Sequence, residues 1–377
     1  MKLKSLSFAT AATLALVGAT NAQTVIDITG STAGRSAVDA KIKALLAPGY
    51  TFQYYGKDST ANKHDACIFH GTYDGQPVII RTFWSGSAAG IRDVATAPQL
   101  NNSYILTSVV GSTSGTYGGT VAANPSAFAP ASTETVSEIG FSDVFQSSTE
   151  YTSPGLVKDD KVAIIPFKFF ANKGSTGITS MTPLGFRNLY GSLGETPLSM
   201  FTGDVADAGT MVYATGRNKE SGTRITTLAE TGSGVFASLN QWGYTTISSG
   251  KMNGVSFFAN DGGYSSGSDV AKMMAATSPD SQPGIYVGYV GASDWSTAAA
   301  GVELKWNGVT YSVAALQNGS YTFWGYLHQS RMNLTGTTLA FYEDLRDEIT
   351  TAPGSGLEAI SLMNVERTAD GAPVSPK

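Results

Sequence analysis

Lys161–Asn172 reads KVAIIPFKFFAN and is the strongest buried-strand signal in the chain. A run this apolar, rich in Ile and Phe, predicts a strand covered on both faces. Pro166 stands in its middle, and a proline cannot donate to a ladder. It suits an edge strand, or a strand passing from one lobe to another, better than a central strand. A second long apolar strand, Gly284–Val290 (GIYVGYV), is expected to carry the chain back to the first lobe. Around these two runs, short strands alternate with helical patterns, which predicts an α/β protein in two lobes joined by two crossings.

Toward the N-terminus, Thr24–Thr29 reads as a strand, followed by a Gly/Ser turn and an amphipathic helix from about Ser36 to Leu46. Ala66–Tyr73, the turn Asp74-Gly75 and Gln76–Trp84 read as a hairpin. A short helix is expected near Ala89–Ala95, and a strand over Ile139–Phe141 that ends at Ser142-Asp143. Toward the C-terminus come a helix near Pro183–Tyr190, a strand Met211–Ala214, a helix opening at Ser221 and a helix over Thr338–Ile349. The expected division is lobe 1 over residues 23–165, with a Gly/Ser/Thr-rich insertion at about 99–135, lobe 2 over 166–287, and completion of lobe 1 over 288–377.

Residues 1–22 read as a secretory signal peptide. Lys2 and Lys4 form a basic start, Phe8 through Val17 an apolar core, and Thr20-Asn21-Ala22 a small-residue cleavage site. That core is too short to span a bilayer, and nothing later is long and apolar enough to do so. No membrane insertion is expected, and the location is periplasmic or secreted. Loss of the leader leaves 355 residues with 22 basic against 29 acidic, a net charge of −7. This balance argues against nucleic acid as a partner, which needs a basic face. Cys67 is the single cysteine and reads as a buried small hydrophobe. Three histidines without an HExxH or a His/Cys cluster argue against zinc. No cofactor is expected.

The sharpest local motif is Arg217-Asn218-Lys219-Glu220-Ser221-Gly222-Thr223, placed after a strand and before a helix. Ser221 suits an N-cap, and the N–H groups of Gly222 and Thr223 would point outward from the helix start. An Arg four residues upstream adds a fork matched to phosphate oxygens. Gly30-Ser31-Thr32-Ala33-Gly34-Arg35-Ser36, Gly86-Ser87-Ala88-Ala89-Gly90 and Ser142-Asp143 end other strands. Alone, each is a routine turn or cap. Together they suit an anion pocket between lobes.

With these motifs in order, the chain resembles the phosphate-binding proteins of bacterial ABC importers, of the type 2 periplasmic-binding-protein fold. The resemblance rests on Thr29-Gly30, on Gly86-Ser87 with Gly90-Ile91-Arg92, on Phe141-Ser142-Asp143, on Arg217 with Ser221-Gly222-Thr223, and on Gly288-Tyr289-Val290. It implies that Ser87 gives a hydroxyl to phosphate and that Arg217 binds two oxygens. Ser221, Gly222 and Thr223 would supply N–H and hydroxyl donors, and Asp143 would accept the proton of HPO₄²⁻. At the first helix, register points to Ala33, Gly34 and Arg35, where the family has Ala-Thr-Phe. Gly34 lacks the hydroxyl and Arg35 replaces the aromatic, so Thr32 or Ser36 is a candidate for the missing oxygen. Lys219 stands where the family often has an acid. The resemblance further implies a monomer, no enzymatic activity, and a membrane permease as partner.

Two other readings compete. Gly263-Tyr264-Ser265-Ser266-Gly267 matches a nucleophile-elbow pattern, with Asp294 and His328 following in the order of a hydrolase triad. Four residues separate it from the apolar Val255–Phe258, however, and no oxyanion motif precedes it. The insertion and the lack of a lipid-anchored Cys are compatible with a secreted surface or adhesion protein that keeps the fold without transport.

Overall fold

The computed structural model describes residues 23–55, 65–96, 104–109, 112–113 and 136–377. The expected leader, and most of the expected insertion, lie outside the described residues. Thirteen strands form one mixed sheet. They are β1 (Thr24–Gly30), β2 (Thr51–Tyr55), β3 (Ala66–Tyr73), β4 (Gln76–Phe83), β5 (Ser112–Thr113) and β6 (Ile139–Ser142). There follow β7 (Lys158–Ala171), β8 (Ser180–Met181), β9 (Glu195–Pro197), β10 (Met211–Ala214), β11 (Ile285–Gly291), β12 (Val302–Trp306) and β13 (Trp324–Arg331). The principal helices are α1 (Arg35–Leu45), α2 (Ser87–Ala95), α3 (Pro183–Gly191), α4 (Gly222–Glu230), α5 (Gly267–Met274) and α6 (Gly336–Thr351).

The order across the sheet is β5-β2-β3-β4-β1-β6-β13-β7-β11-β10-β9, with β12 pairing β7 and β8. β1 runs parallel to both β4 and β6, and β10 runs parallel to β11. Alternate residues of β1 separate by face, as the period of two requires. Ile26 and Ile28 join Val38 and Ile42 of α1 and Phe341 and Leu345 of α6 in one core, while Val25 packs with Ile68 and Ile79 on the other face.

β7 divides the sheet into two halves with separate cores. Its Val162 and Ala163 belong to the core under α1 and α6, while Phe167 and Phe169 belong to the one containing Phe186, Tyr289, Trp306 and Phe323. Lys158–Pro166 pairs with β13, and Phe167–Ala171 pairs with β11. Pro166 thus occupies an interior strand and not an edge. It is tolerated there because its missing donor falls where β7 changes neighbours, and the next N–H, of Phe167, reaches Phe323 O at 3.0 Å.

The return crossing differs from the sequence expectation. β11, expected to lead back to the first half, pairs β10 and the distal end of β7 and stays in the second. β12 and Phe323 lie there too, so the chain re-enters the first half at Trp324, which pairs with Pro166. Both crossings therefore stand side by side. β13 (WGYLHQSR) gave no strand signal because its polar His328, Gln329 and Ser330 are buried along with its apolar residues. The expected hairpin and helices form with boundaries shifted by a few residues at most. Cys67 is buried in the first core, and burial pushes its thiol pKa up.

Candidate functional site

The C-terminal ends of β1, β4, β6 and β10 meet where the two halves of the sheet face each other. Each delivers a short polar segment, and α1, α2 and α4 begin at three of them. This is the switch-point arrangement at which open α/β sheets bind ligands.

Asp143, directly after β6, is 1% exposed and lies at the centre. Ser31 donates its hydroxyl to Asp143 Oδ1, and Thr223 donates to Oδ2 at 3.3 Å. The Asp143 N–H donates to Ser87 Oγ at 3.0 Å. These contacts come from α1's approach, from α2 and from α4 in the opposite half. Burial raises the Asp143 pKa above its ordinary value, and the Ser31 hydrogen bond and the charge of Arg217 oppose that rise.

Arg217 is 2% exposed. Its Nη2 donates to Thr32 Oγ1 at 3.1 Å and to Ser265 O at 2.9 Å, and its Nε donates to Tyr264 O at 3.2 Å. Burial lowers its pKa, while the charges of Asp294 and Asp143 raise it. The guanidinium is therefore oriented by second-half carbonyls and joined to the first half through Thr32.

Ser221 caps α4 as its sequence suggests, accepting from Arg224 N at 3.4 Å. Gly222 is wedged between the halves. A Cβ added there would lie 2.3 Å from Ser87 Oγ, 2.6 Å from Ser87 Cβ and 2.9 Å from Asp143 Cβ. Only glycine fits.

Of the sequence-predicted residues, the structure brings Ser87, Asp143, Arg217, Ser221, Gly222 and Thr223 together. The α1 corner differs. Ala33 N and Gly34 N donate to Ser31 Oγ at 3.1 and 3.2 Å, so it is Ser31 and Thr32 that turn polar atoms to Asp143 and Arg217. Gly34 serves packing, since a Cβ there would lie 2.9 Å from Leu327 Cδ1. Arg35 directs Nη1 to Asp65 Oδ1 at 3.4 Å. The sequence offers Thr32 or Ser36 as the hydroxyl at this corner and not Ser31, although the place of Ser31 directly after the strand end is the available signal.

Asp294, 1% exposed, stands out in the sequence only as a hydrolase-triad candidate, yet the fold places it near Arg217. Gly267 separates it from Arg217, because a Cβ on Gly267 would lie 2.4 Å from Asp294 Oδ2 and 3.3 Å from Arg217 Nη1. No sequence spacing links residues 217 and 294; their meeting follows from the pairing of β10 with β11.

The hydrolase-like triad does not assemble from these contacts. Ser265 lends its carbonyl to Arg217, and Asp294 stands beside Gly267 and Arg217. His328 pairs through Nδ1 with Asp159 at 3.0 Å and packs edge-on to Phe145. The strand before the segment, Ser256–Phe257, pairs with Trp242–Gly243 outside the large sheet, so the segment does not follow a strand of that sheet.

Three solved structures are similar to this chain, each at a TM-score below 0.5. A structure from Clostridium perfringens, described as a phosphate ABC transporter substrate-binding protein with bound phosphate, is 17% identical, with a TM-score of 0.49 over 88% of this chain and 94% of that one. PstS from Borrelia burgdorferi is 14% identical, with a TM-score of 0.41 over 89% and 99%. An ABC-type phosphate transport receptor from Vibrio cholerae is 12% identical, with a TM-score of 0.45 over 86% and 97%. No family model matches the chain, and no curated protein sequence does. Among the described residues no helix is long and apolar enough to cross a membrane.

Proposed function

We propose that this protein binds inorganic phosphate between the two halves of its sheet, which act as closing lobes, and presents it to the membrane permease of an importer. It does so as an exported monomer and performs no chemistry. One observation carries the reading: buried Asp143 accepts hydroxyls from both halves, Ser31 on one side and Thr223 on the other, while buried Arg217 of the second half donates to Thr32 of the first. Phosphate inserted among these groups would take charge-assisted bonds from Arg217, N–H groups from the start of α4, and hydroxyls from Ser31, Thr32, Ser87 and Thr223. The two crossings at Pro166 and Trp324 supply adjacent pivots for closure.

Asp143 gives the reading its selectivity. Its ionised carboxylate only accepts hydrogen bonds, and HPO₄²⁻ carries one proton to donate, whereas sulfate carries none. Sulfate would meet Asp143 acceptor to acceptor, a mismatch on the scale that costs about 10⁴-fold at sites rejecting an analogue without a required donor. Competition titration at neutral pH tests this. Arsenate should displace phosphate and sulfate should not, and Asp143→Asn should narrow the gap because an amide N–H₂ can face sulfate. Equal displacement of phosphate by sulfate from the native protein removes Asp143 from the role.

A further inference from the structure

Glu220, directly before the Ser221 cap of α4, reaches across from the second half to the first. Its backbone O accepts from Ala88 N, at the start of α2, at 3.0 Å. Gly86 permits this approach, since its φ is 113° and a Cβ there would lie 2.7 Å from Glu220 O. The side chain makes a second connection. Its Oε1 accepts from the Tyr151 hydroxyl at 3.1 Å and stands 3.9 Å from Arg92 Nη1. Arg92 in turn lies 5.6 Å over the Tyr151 ring. Beside these polar groups runs an apolar seam, in which Ala88, Val144 and Tyr151 of the first half pack with Ile225 and Val235 of the second.

None of these groups belongs to the set assigned to phosphate, and the contacts join the two halves. Parting the halves breaks them, so they favour the closed form whether or not a ligand is present. They are also readily undone. Arg92 keeps Asp93, to which its Nε donates at 3.0 Å, and the Glu220 side chain is already 20% exposed, so opening strands no buried charge.

We infer that Glu220 is a latch between the halves. It lets the free protein populate the closed form alongside the open one, and it slows the release of bound phosphate without touching it. The release effect rests on the phosphate reading above, whereas the latch itself is read without ligand. A ligand that binds the closed form loses apparent affinity by the factor by which that population falls.

The test places Glu220→Ala on a background of Glu150→Cys with Lys219→Cys, two exposed positions that line one recess between the halves. Cys67 is buried. In phosphate-free protein a short bismaleimide should join the two introduced thiols, and Glu220→Ala should slow the joining about fivefold, the scale of one net hydrogen bond. Without the added thiols, Glu220→Ala should weaken phosphate and arsenate by about fivefold each, through faster release and not slower association. Glu220→Gln, which keeps an acceptor for Tyr151, should do less. An unchanged joining rate in Glu220→Ala, or no joining on the parent background, overturns the latch. Unequal loss of phosphate and arsenate also overturns it, because the residue would then act on the ligand and not on closure. Joining that slows as expected in a protein that binds no phosphate defeats the phosphate reading and leaves the latch standing.

Discussion

Gly222→Ala is the most informative single substitution at the junction of the halves. The added methyl would sit 2.3 Å from Ser87 Oγ, 2.6 Å from Ser87 Cβ and 2.9 Å from Asp143 Cβ. The Ser87 hydroxyl could rotate away, at the loss of its bond from Asp143 N. The two Cβ atoms are fixed to backbone and cannot. Relief therefore requires α4 to withdraw from α2 and β6 by about an ångström, on the scale of overpacking that costs about 1–3 kcal/mol. Alanine is the better helix former by up to about 1 kcal/mol, so part of the strain is offset and the variant should fold. The separation falls where Thr223 meets Asp143, so phosphate must then bridge a wider gap. We expect affinity to fall about 10- to 100-fold, or ~1.4–2.8 kcal/mol, while the melting temperature falls only slightly. Calorimetric titration paired with thermal denaturation reads both. Native phosphate affinity in Gly222→Ala would refute the idea that the halves close on the ligand at this contact.

Arg217→Ala should weaken phosphate binding by about 2–4 kcal/mol, or ~30- to 1,000-fold, and Arg217→Lys should restore only part of it because an ammonium cannot fork; unchanged affinity in a titration would exclude Arg217 from the site. Glu138, whose Oε2 accepts from Asp27 N at 2.7 Å, is pushed up to about 7 by burial and by the charge of Asp27. A raised carboxyl pKa means that the fold favours the protonated form, so its contribution is intact below about 4.5, diminishes as pH rises, and is lost above about 7. Glu138→Gln should match native stability near pH 4.5 and exceed it by about 3 kcal/mol above pH 7.5, as read by urea denaturation; a constant difference across that range would contradict the linkage. Arg367 pairs with buried Glu230 at the end of α4 and lies 4.0 Å over the Trp324 ring at the crossing. Arg367→Met should cost about 3–5 kcal/mol by stranding that carboxylate, and adding Glu230→Gln should recover much of the loss, which a double-mutant cycle measures.

The sequence made the strand-helix alternation around the site legible because the relevant turns are local. Gly/Ser segments follow β1 and β4, Asp143 follows β6, and Ser221 caps α4 within a few residues of each strand. The strands of the second half were harder to place. β11 is buried along its length, so its pattern announces burial without saying which neighbours cover it. Its pairing with β10, rather than a return to the first half, depends on long-range register that hydropathy does not encode. β13 carries no clear hydropathy signal for a related reason, since the fold buries His328, Gln329 and Ser330 in a strand whose composition is half polar. At the site, local sequence suggests a hydroxyl from Thr32 or Ser36 and does not single out Ser31. That choice depends on Ser31 Oγ accepting from Ala33 N and Gly34 N, a turn that aims its proton at Asp143. Asp294 required knowledge of which strands lie side by side.

Direct titration of the mature protein with inorganic phosphate, starting from phosphate-free material, tests the central claim most plainly. One saturable site per chain is predicted, with small-angle scattering showing a smaller radius of gyration in the saturated protein as the halves close. The absence of saturable binding at millimolar phosphate, about −4 kcal/mol on the affinity scale, would contradict the account.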